Sequence, residues 1–141
     1  MSRLAFLSVK ANGRRHRHEA HPLTLHFLLL STKPNSTKAL GALRVFPIPP
    51  PPIGEAYQGK TYRLGRLAVP KSERGKGYGR VMMEGIHEYF QGLAKKTEPV
   101  EVVLHSQLPK VGFYTKFGYS KQGDEFLEDG QPHLMMTKTI Y

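Results

Sequence analysis

The chain contains no cysteine. Disulfides, thiolate metal sites and a cysteinyl acyl-enzyme are thereby excluded. A reducing compartment is compatible with that composition. Long apolar runs are also missing. Nothing approaches the about 18 residues of a membrane span, and Phe27-Leu28-Leu29-Leu30 has the length of a short buried strand. No stretch reads G-x-x-x-x-G-K-[ST], which removes the P-loop, and no internal repeat is present. Acids are scarce: 11 against 21 Lys and Arg, for a net charge of +10. What remains is 141 residues, enough for one domain with one two-layer core.

The excess charge is uneven. Residues 1–22 carry +4 and the remainder +6. The first segment has no clear period, contains the basic knot Arg14-Arg15-His16-Arg17-His18, and has no acid before Glu19. A loosely packed arm and an import-type leader are both open. A metal cluster of His16, His18 and His21 lacks the cysteine or carboxylate pair that would complete a shell. The chain therefore divides into a basic arm, 1–22, and a domain, 23–141. A cytoplasmic location is expected, with mitochondrial import the alternative that the arm suggests. A basic protein could bind nucleic acid. The cations of the domain concentrate at one glycine-rich loop, however, which favours an anionic cofactor and makes nucleic acid the weaker partner.

Leu23 to Ser31 reads as a strand, Lys33 to Thr37 as a turn, and Lys38 to Phe46 as the hairpin partner. Pro47 to Pro52 is expected to stay out of any sheet and to form a stiff exposed loop rather than a ligand for a proline-binding module. Tyr62 to Val69 is a strand ended by Pro70. From Gly77 to about Lys96, apolar residues at Tyr78, Val81, Met82, Ile86, Tyr89, Phe90 and Leu93 have helical spacing. Thr97-Glu98-Pro99 breaks this helix. Val100 to Ser106 is a strand, Pro109 opens a short helix that Gly118 caps, and Glu128 to Gln131 turns between two final strands.

Between strand and helix lies Arg74-Gly75-Lys76-Gly77-Tyr78-Gly79-Arg80. Glycines leave amide N–H groups uncovered, and the first turn of the helix adds orphan N–H groups and a positive dipole end. Such a socket suits a phosphate or pyrophosphate. The dinucleotide fingerprint G-x-G-x-x-G fails at Met82, where the third glycine belongs. A glycine-rich connection without a ligand stays open on this stretch alone.

The pattern [RQ]-x-x-G-x-[GA] of the GNAT N-acetyltransferase superfamily matches Arg74 to Gly79 at every fixed position. A second segment, Phe113-Tyr114-Thr115-Lys116-Phe117-Gly118-Tyr119, resembles that superfamily's F-Y-x-K-x-G-[FY] signature and falls about 35 residues later. The order of elements is similar as well, over roughly residues 25 to 140. The resemblance implies an α/β fold with a mixed central sheet, a splayed V-shaped acyl-CoA cleft and helices on both faces. It implies acetyl-CoA as co-substrate, no metal, a small-molecule amine as acceptor and no membrane partner, and it allows a homodimer. Such domains place a strand and one or two helices over the acceptor site, where only about 22 residues precede the Leu23 strand here. A CoA-binding scaffold with an incomplete acceptor lobe is therefore the second reading.

By the same resemblance, the backbone of Leu67, Ala68 and Val69 holds the pantetheine arm, and Arg74, Gly75, Lys76, Gly77, Tyr78, Gly79 and Arg80 hold the pyrophosphate. Tyr114 corresponds to the proton donor near the CoA sulfur. Gln107 stands where the family often has Asn, and Lys110 where it often has Ala. Gln107 keeps the hydrogen-bonding capacity, while Lys110 and Lys116 are phosphate candidates. The base is open: His105 is the catalytic candidate, with His133 and Glu125 nearby as acceptor-binding candidates, each equally readable as a structural hydrogen-bonding group.

Overall fold

The computed structural model describes residues 4–9, 21–33, 36–96 and 98–141. Its elements are β1 (Leu4–Val9), β2 (Leu25–Lys33), β3 (Ser36–Pro47), β4 (Thr61–Ala68), α1 (Tyr78–Lys96), β5 (Val100–Gln107), α2 (Val111–Lys116), β6 (Ser120–Glu128) and β7 (Gln131–Ile140). They form one seven-stranded sheet in the order β1-β2-β3-β4-β5-β7-β6. Every neighbouring pair is antiparallel except β4 with β5. The parallel pair is joined through α1, the crossover that parallel strands require.

Alternation along the strands decides which side is buried. On β5, Val100, Val102 and Leu104 point one way, and across the ladder they meet Ile140, Lys138 and Met136 of β7. Phe27 and Leu29 of β2 continue the same side through Leu43 and Gly41 of β3. Against it lies the stripe Met82, Met83, Ile86 and Phe90 of α1, all fully buried. Each such side chain contributes roughly 1.5–3 kcal/mol of apolar burial. Phe113 and Tyr114 of α2, with Phe117 just beyond it, pack on the same cluster. The mixed sheet with helices is therefore as expected. Helices were expected on both faces. Among the described residues the helical packing is on one face only, because α1 and α2 share one buried cluster.

One boundary departs from expectation. Pro47 does join the sheet, opposite Tyr62, and is fully buried. It closes the strand, and the hydrogen bond there is made by the next residue, from the Ile48 amide to the Thr61 carbonyl at 3.0 Å, so the missing N–H costs nothing. The proline segment beyond it is held in place. The Tyr57 hydroxyl lies 2.8 Å from the Ile48 carbonyl and accepts the Thr61 amide at 3.2 Å. A His21 ring nitrogen bonds the Pro51 carbonyl at 2.7 Å. His16 and His18, the basic knot and Thr97 lie outside the described residues. No cluster of three metal-ligating side chains occurs among the described residues, and no described helix is long and apolar enough to cross a membrane.

Candidate active site

The site begins as a fault in the sheet. β4 and β5 pair only at Thr61 with Glu101, Tyr62 with Val102 and Arg63 with Val103. Beyond Arg63, β4 keeps its ladder to β3, at Gly65 with Arg44 and Ala68 with Ala42, across a bulge. Arg66 sits in that bulge at φ 56, the left-handed region a non-glycine residue rarely adopts. Bulges bend the strand that carries them. Meanwhile β5 runs straight on with β7 to Gln107. The two limbs part, and a cleft of about 1210 Å³ opens between them. Leu67, Ala68 and Val69 line one limb and His105 and Gln107 the other. The β4–β5 ladder has no pair beyond Arg63 with Val103.

The glycine loop closes the open end. After Pro70 the chain makes one 3₁₀ turn, Lys71–Glu73, and reaches Gly75 at φ +81 and Gly77 at φ +83. A Cβ at either glycine would meet no protein atom within 4 Å. These positions are glycine for their backbone conformation, and the space beside them is open. The Gly77 carbonyl accepts the first helical bond of α1, from the Val81 amide at 3.2 Å, leaving the preceding amides without intrahelical partners. Gly79 differs: a Cβ there would touch the Phe113 ring at 3.4 Å, so it joins the loop to α2.

The cations of the loop divide their work. Glu73 is buried, 5% exposed, and takes ion pairs at 3.3 Å from Lys38 and from Lys76. Burial alone would raise its carboxyl, but the two ammonium groups outweigh that and hold it below the ordinary value. Arg74 donates through Nε to the Val69 carbonyl at 3.0 Å, tying the loop to the end of β4. Arg74, Arg80 and Lys110 line the cleft along with Gly75, Gly77, Tyr78 and Gly79. Lys76 and Lys116 are not among the lining residues; the first braces Glu73 and the second ends α2. The loop thus offers open backbone amides with cations around them, a donor set that suits a pyrophosphate.

Tyr114 lines the cleft from α2. Burial pushes its phenol above the ordinary tyrosine value, so it holds its proton at neutral pH. The opposite wall carries a cluster that the sequence reading found only in part. His105 Nδ1 is 2.8 Å from Glu128 Oε1. A carboxylate can only accept, so Nδ1 bears the proton and Nε2 keeps its lone pair. His133 donates from Nδ1 to the Gln131 carbonyl at 2.8 Å and holds Nε2 3.7 Å from Glu128 Oε2. Arg63 Nη2 lies 3.3 Å from Glu128 Oε1. The Phe126 ring stands 5.1 Å from that of His105 and 6.1 Å from that of His133. Burial works to raise the Glu128 carboxyl, but the His105 hydrogen bond, the Arg63 charge and, in their protonated forms, the charges of His105 and His133 outweigh it and hold it below the ordinary range. The structure brings His105 and His133 together on Glu128. Glu125 is exposed, sits in the β6 bulge between Gln122 and Phe126, and does not line the cleft.

The missed residue had a readable signal. A two-residue turn, Asp129-Gly130, pairs Glu128 with Gln131 and Phe126 with His133. Period-two alternation then places Glu128, Phe126 and His133 on one face.

A sheet splayed over a basic glycine loop, with a half-buried tyrosine and a carboxylate-held histidine across the gap, defines an acyl-CoA transferase fold. The family model described as an acetyltransferase (GNAT) domain matches residues 52–140, and the chain belongs to that family. Among curated relatives, YyaT of Bacillus subtilis is 38% identical over 82 residues, 58% of this chain and 53% of that protein. The chain spans about half the length of the curated relatives it matches. Among solved structures, Escherichia coli ElaA superposes with a TM-score of 0.67 at 18% identity, covering 98% of this chain and 99% of its own. Spermidine N-acetyltransferase of Vibrio cholerae, solved with CoA and spermine, gives 0.61 at 17%, covering 83% and 66%. At these identities the structures establish the fold.

Proposed function

We propose that the protein transfers an acetyl group from acetyl-CoA to the primary amine of a small molecule, by direct attack. The observation that carries this reading is the parting of β4 from β5 beside an open-amide glycine loop. Structural neighbours bearing CoA, among them the spermidine enzyme, support it. Acetyl-CoA supplies the activated carbonyl. The residues of the chain supply the rest. The loop amides, Arg80 and Lys110 hold phosphates, and the backbone edge of Leu67 to Val69 that lines the cleft holds the extended arm. His105 Nε2, its tautomer set by Glu128, takes a proton from the attacking amine. That nitrogen forms a C–N bond as the C–S bond breaks, and Tyr114 gives the departing sulfur its proton, leaving an amide and a free thiol. Solvent restores both groups. Orientation of a base by a hydrogen-bonded carboxylate is the same division of labour as in hydrolase triads.

The test is free-thiol release from acetyl-CoA across an amine library, run beside melting curves with acetyl-CoA and CoA. Cofactor that raises the melting temperature in a concentration-dependent way, with amine-dependent thiol release, is the expected result. Stabilisation without release over the whole library would favour the scaffold reading. No stabilisation by either compound would refute the cofactor assignment.

A further inference from the structure

We propose that His133 is a positioning residue for the base: neutral, it leaves the charge of Glu128 to His105 and Arg63, and a proton on its Nε2 draws that charge away and slows the transfer. This deepens the proposed function and rests on it. His133 lines the cleft, is only 7% exposed, and holds none of the transferring atoms. The register sets it opposite Gln107 of β5 on one side and Phe126 of β6 on the other. Its ring lies 6.1 Å from that of Phe126 at an interplanar angle of 29°. Nδ1 lies 2.8 Å from the Gln131 carbonyl, which only accepts, so the proton of the neutral ring sits there. Stacking and hydrogen bond together hold the ring plane, and they leave a lone pair on Nε2.

That lone pair is 3.7 Å from Glu128 Oε2. A lone pair facing a carboxylate makes no hydrogen bond, and the gap is beyond hydrogen-bond range. The other oxygen, Oε1, accepts from His105 Nδ1 at 2.8 Å and from Arg63 Nη2 at 3.3 Å. One carboxylate thus stands between two imidazoles and bonds only one of them. A proton taken from solvent at His133 Nε2 reverses this. Nε2 becomes a charged donor beside Oε2, and the carboxylate is shared. His105 then loses part of the charge that keeps its own proton on Nδ1 and that stabilises its cation as it accepts the amine proton. Among the described residues, the hydrogen-bond and ion-pair partners of the carboxylate are Arg63 of β4, His105 of β5 and His133 of β7. Asp129 on the hairpin turn, Arg44 and Arg66 on the β3 and β4 wall, and Tyr114 on α2 line the same cleft. Arginine does not give up its proton. The two imidazoles are therefore the groups that titrate on Glu128, and sites joined in this way titrate as a pair.

The experiment follows the imidazole resonances of the full chain by NMR across pH, with His105→Gln and His133→Asn assigning the two signals. An asparagine amide stands where Nδ1 does, so the Gln131 carbonyl keeps a donor while the titrating nitrogen is gone. His105 of the parent should titrate in two steps, and His133→Asn should leave one. Thiol release from acetyl-CoA with the best amine of the library is then read against pH, each profile normalised to its own plateau. The acid limb of kcat/KM should need two ionisations in the parent and one in His133→Asn. The ionisation that disappears should be worth about tenfold, the scale of exchanging a charged partner of the base for a neutral one. A single-step His105 titration in the parent, or an acid limb that His133→Asn leaves unchanged, would overturn the inference. So would a folded His133→Asn that acetyl-CoA stabilises but that turns over no amine, because His133 would then be a reacting group itself. A parent that acetyl-CoA does not stabilise would instead strike the proposed function, and the NMR titration would still decide the coupling.

Discussion

Glu128→Gln tests the arrangement on which catalysis is argued to depend. The carboxylate contributes a bond to His105 Nδ1 at 2.8 Å and an ion pair to Arg63 at 3.3 Å. A hydrogen bond to a charged group is worth about 1.5–3 kcal/mol and a neutral one about 0.5–1.5. Losing the charge while keeping the shape therefore removes about 1–1.5 kcal/mol from the oriented base, close to tenfold in rate. Glutamine adds a second injury. Its NH₂ can face the ring, moving the histidine proton to Nε2, where no lone pair remains to accept from the amine. In hydrolase triads that kind of tautomer error costs about 10⁴. We expect kcat to fall between about tenfold and 10³-fold, with acetyl-CoA affinity unchanged. The fold should survive, because the Arg63 pair is about a third exposed on each side and such pairs contribute about 0–1 kcal/mol. The Glu128 carboxyl is depressed in the folded state. Its contribution is therefore present above the ordinary carboxylate range and is lost as pH falls through the lower folded value, a loss the variant should not show. The assay is thiol release against pH, with circular dichroism as the folding control. A kcat within about twofold of the parent, with the same acid limb, would refute the orienting role.

Gly77→Val should abolish the acetyl-CoA-induced rise in melting temperature, since a branched Cβ fills the open side of the loop and φ +83 disfavours it; normal cofactor affinity would reduce the loop to a connection. Tyr114→Phe keeps the ring and its packing, so kcat should drop about 10²-fold or somewhat less while acetyl-CoA binding holds; parental turnover would make Tyr114 a packing residue. His87, which shares a 2.9 Å hydrogen bond with the Tyr119 hydroxyl, is lowered to about 4 by burial and then by the charge of Lys138. The unfolded chain takes up that proton near pH about 6.5, so stability falls as pH drops from about 6.5 toward 4 and is intact above. His87→Gln should flatten the melting temperature across that window, and an unchanged slope would rule out His87 as its source.

Much of this fold was legible because local chemistry and global pattern agree. Pro70, the φ-permissive glycines and the α1 stripe each mark the same strand-loop-helix junction, and the observed helix starts at Tyr78, one residue from the expected Gly77. The hairpin turn at Asp129-Gly130, at φ 51 and +73, is equally local. What escaped was long-range. Nothing near Glu128 says that it will meet His105, 23 residues earlier on another strand. That contact needs the β5–β7 ladder, which a linear reading does not supply. Glu125 lies in the three-residue bulge at Gly123 to Glu125, an irregularity that the alternation of residues along β6 does not announce. That the described helices pack on one face was also beyond reach, since it is decided by where two helices pack rather than by what any strand contains. Pro47 enters the sheet, against expectation, because its tolerance depends on position at a strand end, not on residue type.

The cleft is a wedge whose apex is three residue pairs wide. A wedge amplifies: a small change in spacing at the apex becomes a larger one at the rim, where Ala68 and Gln107 stand on opposite limbs. The apex rests on residues that line no part of the cleft. The Tyr62 ring leans on Phe90 of α1 at 5.6 Å and on Tyr57 at 5.4 Å, and Tyr62 pairs with Val102 across the seam. The gape of the active site is therefore set from beneath, by the size of a few core side chains acting as a fulcrum. Sequence change in that layer can retune which acceptors fit without altering a single residue that touches them.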